Sequence, residues 1–224
     1  MCGRFTRTQS VPSMAKEFGV SEVSCELGAS YNIAPTQQVA VVISEGVKQL
    51  VAMRWGLVPS WAKDISVGNK MINARAETIT EKASFRSAFK KRRCLVVADG
   101  FYEWQKVGDA KSPVYIRLKS GRPFGFAGLY EVWNSPEDEQ LTTCAIITTE
   151  ANELMRPIHE RMPVIIPKEL ENEWLNPLNA DQGALLQLLK PYPDDEMVAY
   201  PVSKRVNSPQ NNSPELIKPA PLAR

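Results

Sequence analysis

Six segments of this chain have the length and side-chain pattern of β-strands, and no regular helix alternates with them. They are VAVVIS (39–44), QLVAMRWGLVP (49–59), RCLVVADGFYEW (93–104), PVYIRLKS (113–120), FGFAGLY (124–130) and TTCAIITTE (142–150). Helical patterning is confined to VPSMAKEFG (11–19), TITEKASFRSAFKK (78–91), KELENEWL (168–175) and ADQGALLQLLK (180–190), the last ended by Pro191. Without βαβ alternation, the pattern predicts an α+β domain with a mixed, barrel-like sheet at its centre and helices flanking it. At 224 residues the chain is long enough for one large domain or two small ones. No interior linker divides it, so a single domain over 1–224 is expected. From Asn207 onward, prolines at 209, 214, 219 and 221 among asparagines predict that 207–224 is an extended tail wrapping the surface.

Charge and cysteine usage narrow the function classes. A net charge of +2 excludes a histone-like polycation, so any anion-binding surface must come from local clustering. No apolar run reaches membrane-spanning length, and Arg4 and Arg7 interrupt the N-terminus where a signal peptide would be apolar. An intracellular protein with no membrane partner is expected. The 4 cysteines, Cys2, Cys25, Cys94 and Cys144, lie far apart with no CxxC spacing. They predict neither a zinc site nor a redox pair, and nothing in the sequence calls for a cofactor.

Cys2 stands out by position. Aminopeptidases remove an initiator methionine when the next side chain is small, and loss of Met1 would give Cys2 a free α-amine beside its thiol. The amine has a reference pKa of about 7.7–8.0, against about 10.4 for lysine, so far more of it is neutral at pH 7. A neutral amine forms an imine with an aldehyde, and the neighbouring thiol can close a five-membered thiazolidine on the imine carbon. The same pair could instead act as an amide-hydrolysing nucleophile and base. Taken alone, position 2 reads first as an ordinary small residue before the first strand.

Other polar residues interrupt the apolar pattern. In MINARAET, Asn73, Arg75 and Glu77 alternate with Ile72, Ala74 and Ala76 and so share one face, either a functional row or a solvated edge. In ADGFYEWQ, Glu103 is a candidate acid or base at a strand end and Trp104 a candidate stacking platform; both suit a rim equally well. Trp55 reads as core, whereas Trp61, after the Pro59-Ser60 turn, reads as exposed. His159 is the only histidine and precedes Glu160, Arg161 and a strand, a loop position suited to a catalytic group. A run of Arg86, Lys90, Lys91, Arg92 and Arg93 fits a helix C-terminus, where cations complement the dipole. Arg4, Arg75 and Arg161, with the tryptophans, have the composition of a single-stranded nucleic-acid groove.

Taken together, MCGRF, YNIAPTQ (31–37), RWGLVPSWAKD (54–64), INARAET (72–78), RRCLVVADGFYEW (92–104) and IHERMPVII (158–166) resemble the SRAP family, the SOS-response-associated peptidase proteins that sense abasic DNA. The resemblance runs from residue 2 to VSKRVNSP (202–209). It implies the SRAP fold and capture of the abasic aldehyde in single-stranded DNA by Cys2 as a thiazolidine crosslink. It also implies catalytic roles for Cys2, Asn73, Glu103 and His159. Asn73 would orient the sugar or amine, Glu103 would assist ring opening, and His159 would shuttle a proton. DNA binding falls to Arg4, Asn32, Pro35, Trp61, Arg75, Trp104 and Arg161. The implied protein is a monomer, cytoplasmic in a bacterium and at the nucleoid when bound to DNA. The family name adds a peptidase activity, possible self-processing at Cys2 included. A cysteine peptidase using His159 as base, and a noncovalent single-strand binder in which Cys2 is incidental, are the rival readings.

Overall fold

A computed structural model describes residues 2–137 and 139–220, so Met1 and residues 221–224 of the expected tail lie outside the described residues. Along the chain the strands are β1 (Phe5–Arg7), β2 (Glu22–Ser24), β3 (Ser30–Ile33), β4 (Gln38–Glu45), β5 (Val47–Trp55), β6 (Asn73–Arg75), β7 (Arg93–Ala98), β8 (Gly100–Val107), β9 (Ala110–Leu118), β10 (Phe124–Asn134), β11 (Gln140–Glu150), β12 (Arg161–Pro163), β13 (Ile165–Ile166) and β14 (Met197–Pro201). Four short helices accompany them among the described residues: α1 (Val11–Phe18), α2 (Arg86–Lys91), α3 (Glu171–Leu175) and α4 (Gln182–Gln187).

The expected barrel is present. Strands β11, β10, β7, β4 and β5 pair in that order, and β5 returns to β11 in parallel register through Arg54 with Thr143 and Trp55 with Cys144. A second, 5-stranded sheet has the order β14-β9-β8-β1-β3. Alternate side chains of the barrel strands serve different neighbours, as the period of two requires. Val39, Val41, Val96, Phe126 and Ile146 share one core with Phe5, Phe101, Val114 and Ile116 of the second sheet. Ala40, Val42, Leu95, Val97, Ala127 and Ile147 face the opposite way and pack under Met14, Phe18, Phe89, Trp174 and Leu185 of the helices. Burial on both faces explains why these strands read as nearly unbroken apolar runs.

The helix expected over 78–91 is much shorter. A 3-10 turn covers Ala76–Thr78 and only α2 is α-helical. The β-branched Thr78-Ile79-Thr80 stretch is a poor helix former, and Ile79 is instead completely buried. Arg93, the last cation of the basic run, caps α2 directly, its Nη1 donating to the carbonyls of Phe89 and Lys90 at 2.8 and 2.9 Å.

The segment 93–104, expected as one strand, breaks at Asp99 into β7 of the barrel and β8 of the second sheet. The Asp99 carboxylate accepts from Thr6 Oγ1, Thr8 N and Thr8 Oγ1 at 2.5, 2.5 and 2.6 Å. Gly100 is required beside it, because a Cβ there would lie 2.1 Å from Tyr115 Oη. This corner sends β8 alongside the N-terminal strand. The expected tail is only partly extended: 3-10 turns form at Lys204–Asn207 and Pro214–Ile217, and Leu216 is buried with Tyr102, Tyr115, Val202 and Val206.

Candidate functional site

The second sheet contributes the first half of the site. Phe5 pairs with Phe101 and Thr6 with Gly100, and Tyr102 N donates to Arg4 O at 3.0 Å. Residues 2–4 therefore run beside residues 102–104. The Cys2 side chain is completely buried in the same core as Phe5, Trp55 and Phe101. Burial first, and then the Glu103 charge, push its thiol far above the ordinary 9.0, while the Arg4 backbone N–H pulls the other way. Cys2 is thus a protonated thiol at neutral pH. Glu103 is itself 3% exposed.

Arg4 is held by oxygens that carry no charge. Its Nη1 donates to Asn32 Oδ1 at 2.6 Å and Val206 O at 2.8 Å, and its Nη2 to Asn207 O at 3.2 Å. Partial burial lowers its pKa from the ordinary value, yet a guanidinium stays cationic at neutral pH. Its Cζ lies 5.9 Å from the centroid of the Trp104 ring. Trp104 is half-buried, and its Nε1 donates to Asn207 Oδ1 at 2.8 Å. Asn32, expected on the DNA-binding surface, is only 2% exposed. Its amide nitrogen donates to Val206 O, Ser208 O and Asn211 O, so this residue braces Arg4 and the C-terminal segment from inside. Pro35 is half-buried in the turn after β3, where Thr36 carries a φ of 74°. The bond from Thr36 N to Trp55 O, at 2.8 Å, holds this unfavourable backbone in place.

The barrel contributes the other half. β6 lies parallel to β11, with Asn73 opposite Ile146 and Arg75 opposite Thr148, and β12 pairs with the same end of β11 through Glu150 and Arg161. The Asn73 amide nitrogen and oxygen are both buried without a hydrogen-bond partner. Leaving such a group unsatisfied costs about 1–3 kcal/mol, which marks it as a place where a ligand's polar atoms would be welcome. Arg75 is exposed. Arg161, unlike Arg4, is neutralised: its Nη1 and Nη2 reach Glu77 Oε1 and Oε2 at 3.0 and 2.9 Å, and Nη2 also reaches Thr148 O at 2.7 Å. Burial raises the Glu77 pKa, but the bonds and charge of Arg161, with Arg75 nearby, bring it below the ordinary value overall. Glu77 keeps its place opposite Arg161 although it sits in a 3-10 turn beyond the end of β6.

His159 Nδ1 accepts from the Arg161 backbone N–H at 3.0 Å. The neutral ring therefore carries its proton on Nε2. The two halves meet where Gln105 Nε2, on β8, donates to Pro157 O at 3.2 Å in the loop that holds His159. Ile158 and Ile72, each the neighbour of a candidate catalytic residue, pack against the core that contains Cys2. Trp55 is buried as expected, its Nε1 donating to Ile72 O at 3.0 Å, and Trp61 is 62% exposed as expected. The loop carrying Trp61 is tied to the approach to Asn73 by Leu57 N donating to Met71 O. Among the described residues there is no cluster of histidine, cysteine and carboxylate side chains able to hold a metal ion.

Sequence reasoning assigned nothing to Thr148, Gln105 or Asn207. Thr148 lies in an apolar strand and Gln105 just beyond a motif, so neither carried a local signal. Asn207 falls in the quoted VSKRVNSP motif, and its role depends on a contact 103 residues away.

A family model described as SOS response associated peptidase matches residues 1–209. The chain belongs to the SRAP family. Every candidate residue above, Asn207 included, lies within the matched span. Among curated SRAP relatives, the abasic site processing protein YoqW of Bacillus subtilis is 52% identical over 222 residues, covering 97% of this chain and 99% of its own. The abasic site processing protein HMCES of Xenopus tropicalis is 34% identical over 218 residues, covering 83% of this chain and 64% of its own. A solved structure of a Bacteroides thetaiotaomicron protein, 30% identical, superimposes with a TM-score of 0.89 over 98% of this chain and 100% of that one. Among the described residues no helix is long and apolar enough to cross a membrane.

Proposed function

We propose that this SRAP protein processes abasic sites in single-stranded DNA by capturing them covalently at Cys2, after Met1 is removed. The observation that carries the reading is the burial of the Cys2 thiol within reach of the Glu103 charge, beside an arginine and a tryptophan. The relatives named as abasic site processing proteins support it. In this reading the chain acts as one unit and as a monomer.

The chemistry starts from the ring-opened abasic sugar, which carries an aldehyde at C1′. The α-amine, with a reference pKa of about 7.7–8.0, has a neutral fraction near pH 7 and attacks C1′ first. A C–N bond forms, the carbonyl oxygen takes up protons and leaves as water, and an imine remains. The sulfur then adds to the same carbon, the thiol proton passes to nitrogen, and the thiazolidine closes. One water is released overall. Glu103 opens the sugar and relays the thiol proton, His159 presents its Nε2 proton to the departing oxygen, and the Asn73 amide bonds the sugar or the amine. Arg4 and Arg75 face the flanking phosphates, while Arg161, paired with Glu77, pins β12 to β11 through Thr148; Trp104, Pro35 and Trp61 carry the neighbouring bases.

The test mixes the purified protein with a single-stranded oligonucleotide carrying one abasic site, read by intact mass and a denaturing gel. Expected is a stoichiometric, denaturation-resistant adduct on protein lacking Met1, abolished by Cys2→Ala. An adduct that survives Cys2→Ala would remove Cys2 from the chemistry. Repeated turnover of a peptide without adduct would favour the peptidase reading.

A further inference from the structure

The VSKRVNSP motif closes the family resemblance, yet none of the catalytic or DNA-binding roles uses it. Its residues converge on the second-sheet half of the site. Asn207 makes two contacts there, both to side chains proposed to meet DNA. Its Oδ1 accepts from Trp104 Nε1 at 2.8 Å, and its backbone carbonyl accepts from Arg4 Nη2 at 3.2 Å. Val206 O adds a bond to Arg4 Nη1 at 2.8 Å. The segment is anchored in turn. Asn32 Nδ2 holds Val206 O, Ser208 O and Asn211 O, Tyr31 N donates to Asn212 Oδ1 at 2.7 Å, and Asn211 Nδ2 donates to Arg205 O at 2.7 Å. Val206 is completely buried beneath it.

Two physical consequences follow. Trp104 is half-buried in the middle of β8, paired with Pro113, and the bond from its Nε1 to Asn207 fixes the plane of the ring. Arg4, meanwhile, is immobilised by carbonyl oxygens alone, with no carboxylate among the described residues pairing with it. Its position is set while its charge stays available to a phosphate. The stacking face and the cation are held as one unit, 5.9 Å apart.

We propose that Asn207 is a positioning residue for DNA binding: it fixes the Trp104 ring for stacking beside the Arg4 guanidinium, so that the C-terminal segment is part of the nucleic-acid interface. This rests on the reading of the site as a binder of abasic single strands. Asn207 itself meets no reacting atom.

The experiment measures noncovalent affinity by fluorescence anisotropy, using a single-stranded oligonucleotide with a tetrahydrofuran abasic analogue that lacks an aldehyde. It is run on wild type, Asn207→Ala, Trp104→Phe and the double variant across a salt series, with thermal melting of each protein. The rate of crosslinking at saturating protein on a true abasic site is read in parallel. Loss of one hydrogen bond that orients the ring weakens binding about three- to tenfold in Asn207→Ala. The salt slope is unchanged, because no phosphate contact is removed. The limiting crosslinking rate is retained, because Cys2 and Glu103 are untouched. In Trp104→Phe, which has no indole N–H, Asn207→Ala has no further effect on affinity. Asn207→Asp keeps an acceptor for Nε1 but adds a charge that competes for Arg4, so it preserves the ring and lowers the salt slope.

Equal losses from Asn207→Ala in the wild-type and Trp104→Phe backgrounds would overturn the assignment, as would no loss in wild type. A fall in melting temperature with additive affinity losses would make the residue a fold element only. If wild type bound abasic and undamaged strands equally weakly and formed no adduct, the functional reading itself would fail, and with it this inference.

Discussion

Arg4 and Arg161 stand on opposite halves of the site and are anchored in opposite ways. Arg4 is fixed by three neutral oxygens, and Arg161 by both oxygens of a carboxylate together with Thr148. Both are held by several bonds, but the partners of Arg4 carry no charge to offset its own. Arginine content therefore overstates the electrostatic capacity of this surface. The identity of the partner decides whether a guanidinium is a phosphate contact or a structural pin.

The comparison is broken or sharpened most strongly by removing each arginine in turn. Arg4→Ala is expected to weaken binding to an abasic-analogue single strand about tenfold or more and to reduce the salt slope by roughly 0.7, the value for one phosphate contact on a single strand. Arg161→Ala is expected to leave that slope nearly intact and to slow crosslinking only modestly, because it removes the side-chain bonds to Glu77 and Thr148 but keeps the backbone N–H that His159 accepts from. Equal slopes for the two variants would mean that Arg161 exchanges Glu77 for a phosphate when DNA binds. A smaller effect is expected from Glu77→Gln, which leaves the Arg161 charge unopposed. Affinity should rise about two- to fivefold with a steeper salt slope, checked by the same titration; a fall would show that Glu77 is needed to hold Arg161 in place.

The smallest effect concerns pH. The Glu77 pKa is lowered in the folded protein from an ordinary value of 4.5. A depressed acid contributes stability that is present above its unfolded pKa and lost as pH falls through the folded one. With Glu77 51% exposed on its side chain, that contribution stays under about 1 kcal/mol after screening. The melting-temperature gap between wild type and Glu77→Gln should therefore be constant above about pH 5 and close below pH 4.5. Arg4 is held by neutral oxygens, so Arg4→Ala should show no such closure.

Much of the frame was legible because both faces of the barrel strands are buried, leaving long apolar runs. Short strands such as β2, β3 and β14 were not, since three to five residues carry too little pattern to register. The corner at Asp99 was invisible for a different reason: the break depends on Thr6, Thr8 and Tyr115, none of them nearby in sequence. Within the site, position and residue type marked Cys2, Glu103 and Trp61, and the alternation around Asn73 was real. The burial of Asn32 beneath Arg4 and the C-terminal segment was not legible, because an amide in a motif reads alike whether it is exposed or braces an arginine. The neutralisation of Arg161 requires knowing that Glu77, 84 residues away, lies opposite it.

The bond from Arg4 to Val206 spans 202 positions of the chain. During synthesis at roughly 5–20 residues per second, on the order of ten to forty seconds separate the emergence of its two ends. Cys2 and Arg4 leave the ribosome some 202 residues before the segment that braces Arg4. A nascent chain has its reactive end without the brace that orders the surface around it. Competence for the lesion is in this way deferred until Val206 has been made, and a chain truncated before Val206 would carry the nucleophile without its organised surroundings.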